Sequence, residues 1–276
     1  MTASDPGPGV RLDRHLVDAG LARARGEAQE LIRGGHVTVA GRPVTKPSYA
    51  VSPGAVVDLT RPGPSRVGRG AHKLEHALTG WRDDGLGVAG RRCLDVGAST
   101  GGFTQVLLEH GAVHVTALDV GHGQLVPELA GDPRVTDLPG THVRDATAAA
   151  IGGPVDVLVA DLSFIPLAVV LPRLRRLVTD DADLVLLVKP QFEVGPDRVG
   201  RGGVVRSQEA RRDAVHTVLR ALYASGLAVR DLTRSPILGA GGNVEYLLWA
   251  RPGGAGMMDV EAALALGNDV TAKEAP

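Results

Sequence analysis

The sequence contains a single cysteine, Cys93, which excludes an internal disulfide framework and a Cys-x-x-Cys metal site. No apolar run is long enough to span a membrane. The first residues lack the basic segment followed by an apolar segment that marks a secretory signal peptide. We therefore expect a cytoplasmic protein with no metal centre and no membrane partner, and nothing in the sequence indicates an obligate protein partner.

Aromatic residues make up only 3% of the chain, and the formal net charge is −1, so the distribution of charge is more informative than its sum. From Arg11 to Lys73 there are eleven basic residues and five acidic ones. Such a local basic excess is typical of a nucleic-acid-binding surface, although a solvated face would look the same. The candidate RNA-binding residues are Arg11, Arg14, Arg23, Arg25, Arg33 and Lys46.

The sequence motifs of this basic region give evidence that is independent of its charge. The motifs R-L-D-x-x-L, G-L-A-R-A-R, L-I-x-x-G-x-V-x-V-x-G and V-x-K-P follow one another from Arg11 to Pro47. Together they resemble the S4-type RNA-binding domain. Because Tyr49 is the one aromatic residue of this region, stacking on unpaired bases is disfavoured. The resemblance therefore implies recognition of folded RNA by its shape and phosphates.

Composition divides the chain into segments of different character. We predict a disordered tail at 1–9, a small α+β domain at 10–60, a linker at 61–69, a larger domain at 70–252 and a peripheral tail at 253–276. Within the small domain, helical spacing and apolar runs predict helices and short strands at 11–17, 24–33, 37–39, 44 and 56–59.

The larger domain is organised around the glycine-rich segment from Cys93 to Thr104. An apolar run ending at Asp95, a turn rich in glycine and an amphipathic segment predict a strand, a tight loop and a helix. The segment lacks the lysine of a P-loop and the second glycine of the dinucleotide fingerprint. An acid before the loop would repel an anion but accept a cationic amino-acid group. The candidate ligand residues in this segment are Asp95, Gly97, Ser99, Thr100, Gly101, Gly102 and Phe103.

A second acid, Asp119, follows the next apolar run. In open α/β sheets an acid at this place commonly holds a ribose diol. Together with the glycine loop it suggests S-adenosylmethionine (SAM) as the cofactor. An ordinary strand–turn–helix with incidental glycines remains the alternative.

Apolar strands alternate with helical segments from about Arg91 onward. Strands are predicted at 92–96, 113–119, 134–138, 155–161, 182–189, 228–233 and 244–250. Helices are predicted at 69–78, 103–110, 125–130, 166–178 and 207–225. Because the strands are almost continuously apolar, we predict the α/β class, with a doubly wound, mostly parallel sheet covered on both faces.

Ligands of such a sheet bind beyond the carboxyl ends of its strands, so polar residues at these ends are candidates for chemistry. Asp161 and Lys189 each end an apolar run, and Glu245 stands at the start of another. Burial disfavours the charged form of a lysine, which is how a lysine becomes a general base near neutral pH. The simpler alternatives are a structural salt bridge for Asp161 and Lys189 and a paired core acid for Glu245. For Lys73 the simpler alternative is a surface lysine.

The order of these motifs is more specific than any one of them. The segments S-R-x-x-R-G-x-x-K-L, D-V-G-A-S-T-G-G-F, A-D-L-S-F-I, L-V-K-P-Q-F-E and G-N-V-E-Y follow the S4-like region. From about Arg11 to Trp249 the chain resembles the TlyA family, 2′-O-ribose methyltransferases of ribosomal RNA that were historically labelled hemolysins. The resemblance implies a class I SAM-dependent methyltransferase with a Rossmann-like, FtsJ-like domain.

The resemblance also implies roles for individual residues. Lys73, Asp161, Lys189 and Glu245 match the family's catalytic tetrad, and Asp161 also borders the cofactor. Lys189 would be the general base that removes the proton of the ribose 2′-hydroxyl, since an unactivated hydroxyl is a poor nucleophile. The implied partner is ribosomal RNA or a ribosomal subunit, and the implied target is cytidine ribose in 16S-type rRNA, 23S-type rRNA or both.

Three other functions are compatible with parts of the sequence. A non-catalytic RNA-binding or ribosome-assembly factor could retain a methyltransferase fold. A membrane-active hemolysin is disfavoured because no strongly amphipathic basic helix with aromatic residues is present. A base-directed methyltransferase is disfavoured because the segment from Asp161 to Phe164 has neither an Asn/Asp-Pro-Pro-aromatic turn nor a cysteine.

Overall fold

The computed structural model describes residues 9–22, 24–59 and 66–253. The chain forms two compact units, Met1–Ser65 and Arg66–Pro276. The predicted tails at 1–9 and 253–276 lie outside the described residues apart from Gly9 and Gly253, and so does the candidate RNA-binding residue Arg23.

The first unit is a small α+β fold. Its elements are β1 (Val10–Arg11), α1 (Leu12–Asp18), α2 (Arg25–Arg33), β2 (Val37–Val39), β3 (Arg42–Pro43), β4 (Ala50–Val51) and β5 (Val57–Leu59). β2 pairs antiparallel with both β3 and β5, and β1 pairs with β4. The core packs α1 and α2 against this small sheet through Leu12, Leu16, Ala28, Ile32 and Val37.

The two helices were predicted to within one residue, whereas the short strands were less accessible from the sequence. The pairing of β1 with β4 was not predicted, because two-residue strands carry no periodic pattern. The predicted strand at Val44 lies at 42–43 instead. Val44 still donates its backbone N–H to Val37 O and is buried, so its apolar side chain reflects packing beside the strand.

The second unit is an α/β sandwich of three layers. Its elements in chain order are α3 (Ala71–Gly80), β6 (Arg92–Val96), α4 (Gly102–Glu109), β7 (His114–Leu118), α5 (Pro127–Ala130), β8 (Val135–Leu138), β9 (Val155–Ala160), α6 (Leu167–Arg175), β10 (Val178–Val188), α7 (Pro190–Glu193), α8 (Gln208–Ala224), β11 (Leu227–Arg234) and β12 (Tyr246–Pro252).

The seven strands form one sheet in the order β11-β12-β10-β9-β6-β7-β8. The five strands from β10 to β8 are parallel, β12 runs antiparallel to β10, and β11 forms the edge by pairing antiparallel with β12. The predicted doubly wound, mostly parallel sheet is confirmed. β10 begins four residues before its predicted start, across an irregularity in its pairing with β9 that carries the exposed Asp180 and Asp181.

Two apolar layers cover the sheet. Leu94, Leu158, Leu184 and other residues of one face pack with α6 and α8. The alternating neighbours on the same strands, such as Cys93 and Val157, face the opposite layer with α3 and α4. Because successive side chains of a strand point to opposite faces, burial of both faces requires continuous apolar runs. Burial also raises the pKa of the Cys93 thiol to about 12, as expected for an inert core thiol.

Candidate active site

The glycine-rich loop connects the end of β6 to the first turn of α4. Gly97 has φ +86°, and a Cβ at this position would lie 2.6 Å from the backbone oxygen of Asp161. Gly101, at the N-cap of α4, has φ +99°. These conformations favour glycine, and at Gly97 the loop approaches the neighbouring strand end too closely for any side chain. The loop is therefore held against the segment that carries Asp161.

Asp95 lies beneath this loop, in β6, and is fully buried. Thr104 Oγ1 donates a 2.7 Å hydrogen bond to Asp95 Oδ2, while Oδ1 is buried without a partner among the described residues. Burial raises the pKa of the Asp95 carboxyl to about 7, and the nearby Asp161 and Asp119 carboxylates add to the rise while the Thr104 hydrogen bond opposes it. The segment thus keeps a costly buried acid directly under the glycine loop.

Asp119 directly follows β7, the strand next to β6. Its Oδ2 accepts a hydrogen bond from the Ser99 backbone N–H and its Oδ1 accepts one from Gly121 N–H, both at 2.8 Å. These two bonds fix the carboxylate at the carboxyl edge of the sheet and link it to the glycine loop. The edge therefore carries acids at the ends of three adjacent strands, β7, β6 and β9.

Two cavities open at this edge. The larger, of about 500 Å³, is lined by residues that include Ser99, Asp119, Gln124, His142 and Asp161. The smaller, of about 230 Å³, is lined by Gly68, Arg69, Gly70, Thr100, Gly102 and Phe103 among others. Gly97, Ser99 and Asp161 line both, so the two cavities meet beside the Asp161 carboxylate. Asp95 lines neither.

The side chains of the four candidate catalytic residues contact one another in a row in which lysines alternate with acids. Lys189 Nζ lies 2.6 Å from Asp161 Oδ1, and Lys73 Nζ lies 3.7 Å from Asp161 Oδ2. Lys73 Nζ donates a 2.6 Å hydrogen bond to Glu245 Oε2. Lys73, Lys189 and Glu245 are 7%, 8% and 2% exposed, so Lys73 is no surface lysine. Two amines and two carboxyl groups are thus in contact, and only the Asp161 side chain, 21% exposed, is open to the cavities.

Strand order explains how these residues meet. β9 and β10 are parallel neighbours, so Asp161 and Lys189, each the first residue after its strand, lie side by side. β12 runs antiparallel to β10 with Val188 opposite Tyr246, which puts Glu245 at the same edge. Lys73 reaches it from the first turn of α3. An arrangement that spans 172 residues of sequence therefore depends on the sheet topology.

The sequence analysis missed one polar residue of this cluster. Ser163 Oγ accepts a 2.8 Å hydrogen bond from Lys189 Nζ. Next to it Phe164 adopts φ +64°, is 90% exposed and lines the larger cavity. Its ring lies 5.3 Å from that of Phe192, whose ring centroid is 5.9 Å from Lys189 Nζ. Ser163 could have been predicted from the sequence as a site residue, because it follows Asp161 by two residues on the same loop.

Glu193, at the end of α7, holds the end of the loop that joins β9 to α6. Its Oε1 accepts a 2.6 Å hydrogen bond from the Leu167 backbone N–H, the first residue of α6. Burial raises the pKa of the Glu193 carboxyl to about 6, against the hydrogen bonds from Leu167 and Ala168, which lower it. A carboxylate at a helix N-terminus satisfies free N–H groups there. Glu193 thus ties the turn after Lys189 to the loop after Asp161.

In the first unit, the candidate RNA-binding residues differ in their contacts. Arg11 and Arg25 both donate to the buried Asp13 at 3.0 Å. The hydrogen bond from Arg11 holds the pKa of the Asp13 carboxyl far below its usual range, burial opposes this, and Arg25 and Gln29 lower it further. Arg14 pairs with Asp18 at 3.5 Å, Arg33 bonds Gln29, and Lys46 is exposed. Two of the expected phosphate ligands are therefore partly neutralised by one buried acid.

The part of the chain that the structure describes lacks two further features. None of its helices combines the length and the apolarity that crossing a membrane requires. Within the same residues, no group of three or more histidine, cysteine, aspartate or glutamate side chains is arranged to hold a metal ion.

Comparisons with known proteins give a consistent result. Residues 66–252 match the model of the FtsJ-like methyltransferase family, and residues 10–57 match the S4 domain. The chain is 52% identical over 243 residues to the 16S/23S rRNA (cytidine-2′-O)-methyltransferase TlyA of Mycobacterium tuberculosis, covering 88% of this chain and 90% of that protein.

Relatives that carry the name hemolysin are also similar. Hemolysin A of Brachyspira hyodysenteriae is 35% identical over 239 residues, which are 86% of this chain and 98% of that protein. The solved structure of a hemolysin-named protein from Streptococcus thermophilus matches with a TM-score of 0.70 and 33% identity, covering 95% of this chain and 96% of that one.

Proposed function

This chain belongs to the FtsJ-like methyltransferase family and carries an S4 domain, and from that premise we propose that it methylates the 2′-hydroxyl of a cytidine ribose in ribosomal RNA, with SAM as methyl donor. The observation that carries the proposal is the buried chain Glu245–Lys73–Asp161–Lys189 where the two cavities meet. The TlyA relative, whose name states this reaction, supports the choice of substrate.

The residues at the carboxyl edge fit a cationic nucleoside cofactor. SAM has a positive sulfonium and a positive amino group, and two acids, Asp119 and Asp161, line the cavities. The buried Asp95 carboxyl, whose Oδ1 has no partner among the described residues, lines neither cavity, so it could favour a cationic ligand through its charge but not by contact. Asp119 would hold the ribose hydroxyls, and the larger cavity has the size of a small-molecule pocket. The glycine loop would lie along the ligand.

When bound, SAM would supply an electrophilic methyl group, whose bond to the sulfonium sulfur breaks on transfer to leave a neutral thioether. A ribose hydroxyl must lose its proton as its oxygen forms the bond to that methyl carbon, and Lys189 Nζ is the group we assign to accept this proton. The Asp161 carboxylate, 2.6 Å away, would stabilise the positive charge that Lys189 then acquires. Glu245 neutralises Lys73, so that Lys73 can hold Asp161 without adding an unpaired charge to the site.

The first unit is proposed to bind the ribosomal RNA. Its S4 match and its exposed residues Arg14, Arg33 and Lys46 support this role. The salt-paired Arg11 and Arg25 would present their remaining N–H donors to phosphates in fixed orientations. The assay described next tests the reaction, and it also shows whether the substrate is 16S-type rRNA, 23S-type rRNA or both.

The test is methyl transfer from radiolabelled SAM to purified 30S and 50S subunits, followed by mapping of the modified nucleotide. We expect label on a cytidine 2′-oxygen in at least one subunit. Label on a base nitrogen or carbon would contradict the proposed reaction. Failure of the wild-type protein to label either subunit or free rRNA would instead support a non-catalytic RNA-binding factor.

A further inference from the structure

The hydroxyl of Ser163 is a second fixed partner of the lysine assigned as the base. Lys189 Nζ contacts Asp161 Oδ1 at 2.6 Å and Ser163 Oγ at 2.8 Å. Asp161 and Ser163 are separated by one residue on the loop after β9, so a single loop supplies both acceptors. We infer that Ser163 is a positioning residue that aims Lys189 at the substrate hydroxyl, an inference that rests on the proposed function.

The number of N–H donors on the Lys189 amine explains why a second acceptor would orient it. An unprotonated lysine has two N–H donors and one lone pair, and the proton of the substrate must arrive along that lone pair. With Asp161 and Ser163 accepting the two N–H groups, the lone pair has one remaining direction. With Asp161 alone, the amine could rotate about its terminal bond, and the lone pair would point away from the substrate for part of the time.

The loop that carries Ser163 is held in place at several points. The Asp161 backbone N–H donates to Val96 O at 3.0 Å, and Glu193 accepts the Leu167 N–H at the start of α6. Between them Phe164 has φ +64°, a conformation that is strained for an aromatic residue and persists only where its surroundings impose it. The ring of Phe164 packs against Phe192, on the turn after Lys189. The site of the hydroxyl is therefore fixed relative to the amine.

The test compares Ser163→Ala with Ser163→Thr, which keeps the hydroxyl. At saturating SAM and subunits we expect the single-turnover methylation rate of Ser163→Ala to fall about tenfold, with little change in the KM for either substrate, and Ser163→Thr to recover most of the rate. Ser163→Cys, nearly isosteric but a poor acceptor, should behave like Ser163→Ala. Ser207→Ala is the matched control, because Ser207 Oγ caps α8 away from this cluster.

A second readout needs no catalysis. The chain has four lysines, Lys46, Lys73, Lys189 and Lys273, so labelling by trinitrobenzenesulfonate can be followed at each by mass spectrometry. Loss of the Ser163 contact should speed labelling of Lys189 several-fold relative to the exposed Lys46, in Ser163→Ala but not in Ser163→Thr. A rate or a labelling ratio in Ser163→Ala within twofold of wild type would overturn the assignment. A wild-type protein without methyl transfer would overturn the proposed function instead.

Discussion

Lys73 and Glu245 lie 172 positions apart in the sequence, and their charged groups meet at 2.6 Å with both side chains almost fully buried. Burying two charges costs several kcal/mol per ion unless each is well paired, so this contact is weak evidence for stability. Its effect is to hold one lysine in a defined place next to Asp161, 3.7 Å away, whose other oxygen binds Lys189. The contact therefore helps to define the geometry of the cluster around Asp161.

The first prediction concerns the base. Lys189→Ala should abolish methyl transfer and leave SAM and RNA binding largely intact. Lys189→Arg should be nearly as inactive, because a guanidinium keeps its proton at any working pH. The measurement is the single-turnover rate at saturating SAM and subunits, with Lys273→Arg as a control for loss of an amine elsewhere. A rate for Lys189→Arg within about tenfold of wild type, about 1.4 kcal/mol in the barrier, would exclude the general-base role.

The second prediction concerns the cofactor ribose. Asp119→Ala should weaken SAM binding at least about tenfold by calorimetry, since it removes both the proposed ribose ligand and the anchor of the Ser99 backbone. Circular dichroism should show an unchanged fold. Asp137→Ala is the control. Asp137 is an exposed acid on the adjacent strand β8 and lines neither cavity, so its loss should leave SAM affinity unchanged. Equal affinities of Asp119→Ala and wild type would remove Asp119 from the site.

The third prediction is a pH dependence of stability. The folded-state pKa of Asp95, about 7, lies above its ordinary value of 3.8, so the native state holds a proton that the unfolded state releases. This contribution to stability is present below about pH 4 and is lost as the pH rises to about 7. Asp95→Asn should therefore stabilise the ligand-free protein at pH 8, by at most about 4 kcal/mol, and change it little at pH 4.

Chemical denaturation at both pH values, together with SAM calorimetry, tests this expectation. At pH 8 the same Asp95→Asn protein should bind SAM more weakly, because a buried negative charge near the cationic ligand is gone. Thr104→Val is the matched control: it removes the donor to Asp95 Oδ2 and should lower stability at pH 8. A lower stability of Asp95→Asn than of wild type at pH 8 would show that the buried carboxylate is compensated in the ligand-free protein.

The fourth prediction concerns the division of labour between the two units. A chain beginning at Ser65 should retain SAM affinity and lose most of its affinity for ribosomal subunits. Binding by the full chain should weaken steeply with salt, because phosphate contacts release counterions. Filter binding at several salt concentrations measures both effects. Full RNA affinity in the shortened chain would assign RNA binding to the second unit.

The sequence by itself determined the class of the fold and most of its elements. Continuous apolar runs such as 184–188 in β10 indicate burial on both faces, and that requirement implies a parallel sheet between two helical layers. The tight loop in the glycine-rich segment was also predicted from the sequence, whereas the close approach of Gly97 to the Asp161 backbone is seen only in the structure. Where local pattern is weak, as in the two-residue strands β1 and β4, sequence reasoning failed.

Only the tertiary structure decided which candidate residues lie together. The parallel pairing of β9 with β10 and the antiparallel return of β12 bring Asp161, Lys189 and Glu245 to one edge, and no local spacing encodes that order. The structure also shows that Asp95 lies beneath the cavities and that Ser163 shares Lys189 with Asp161. Sequence pattern records which residues prefer burial, whereas the distances between charged groups follow from strand order and register.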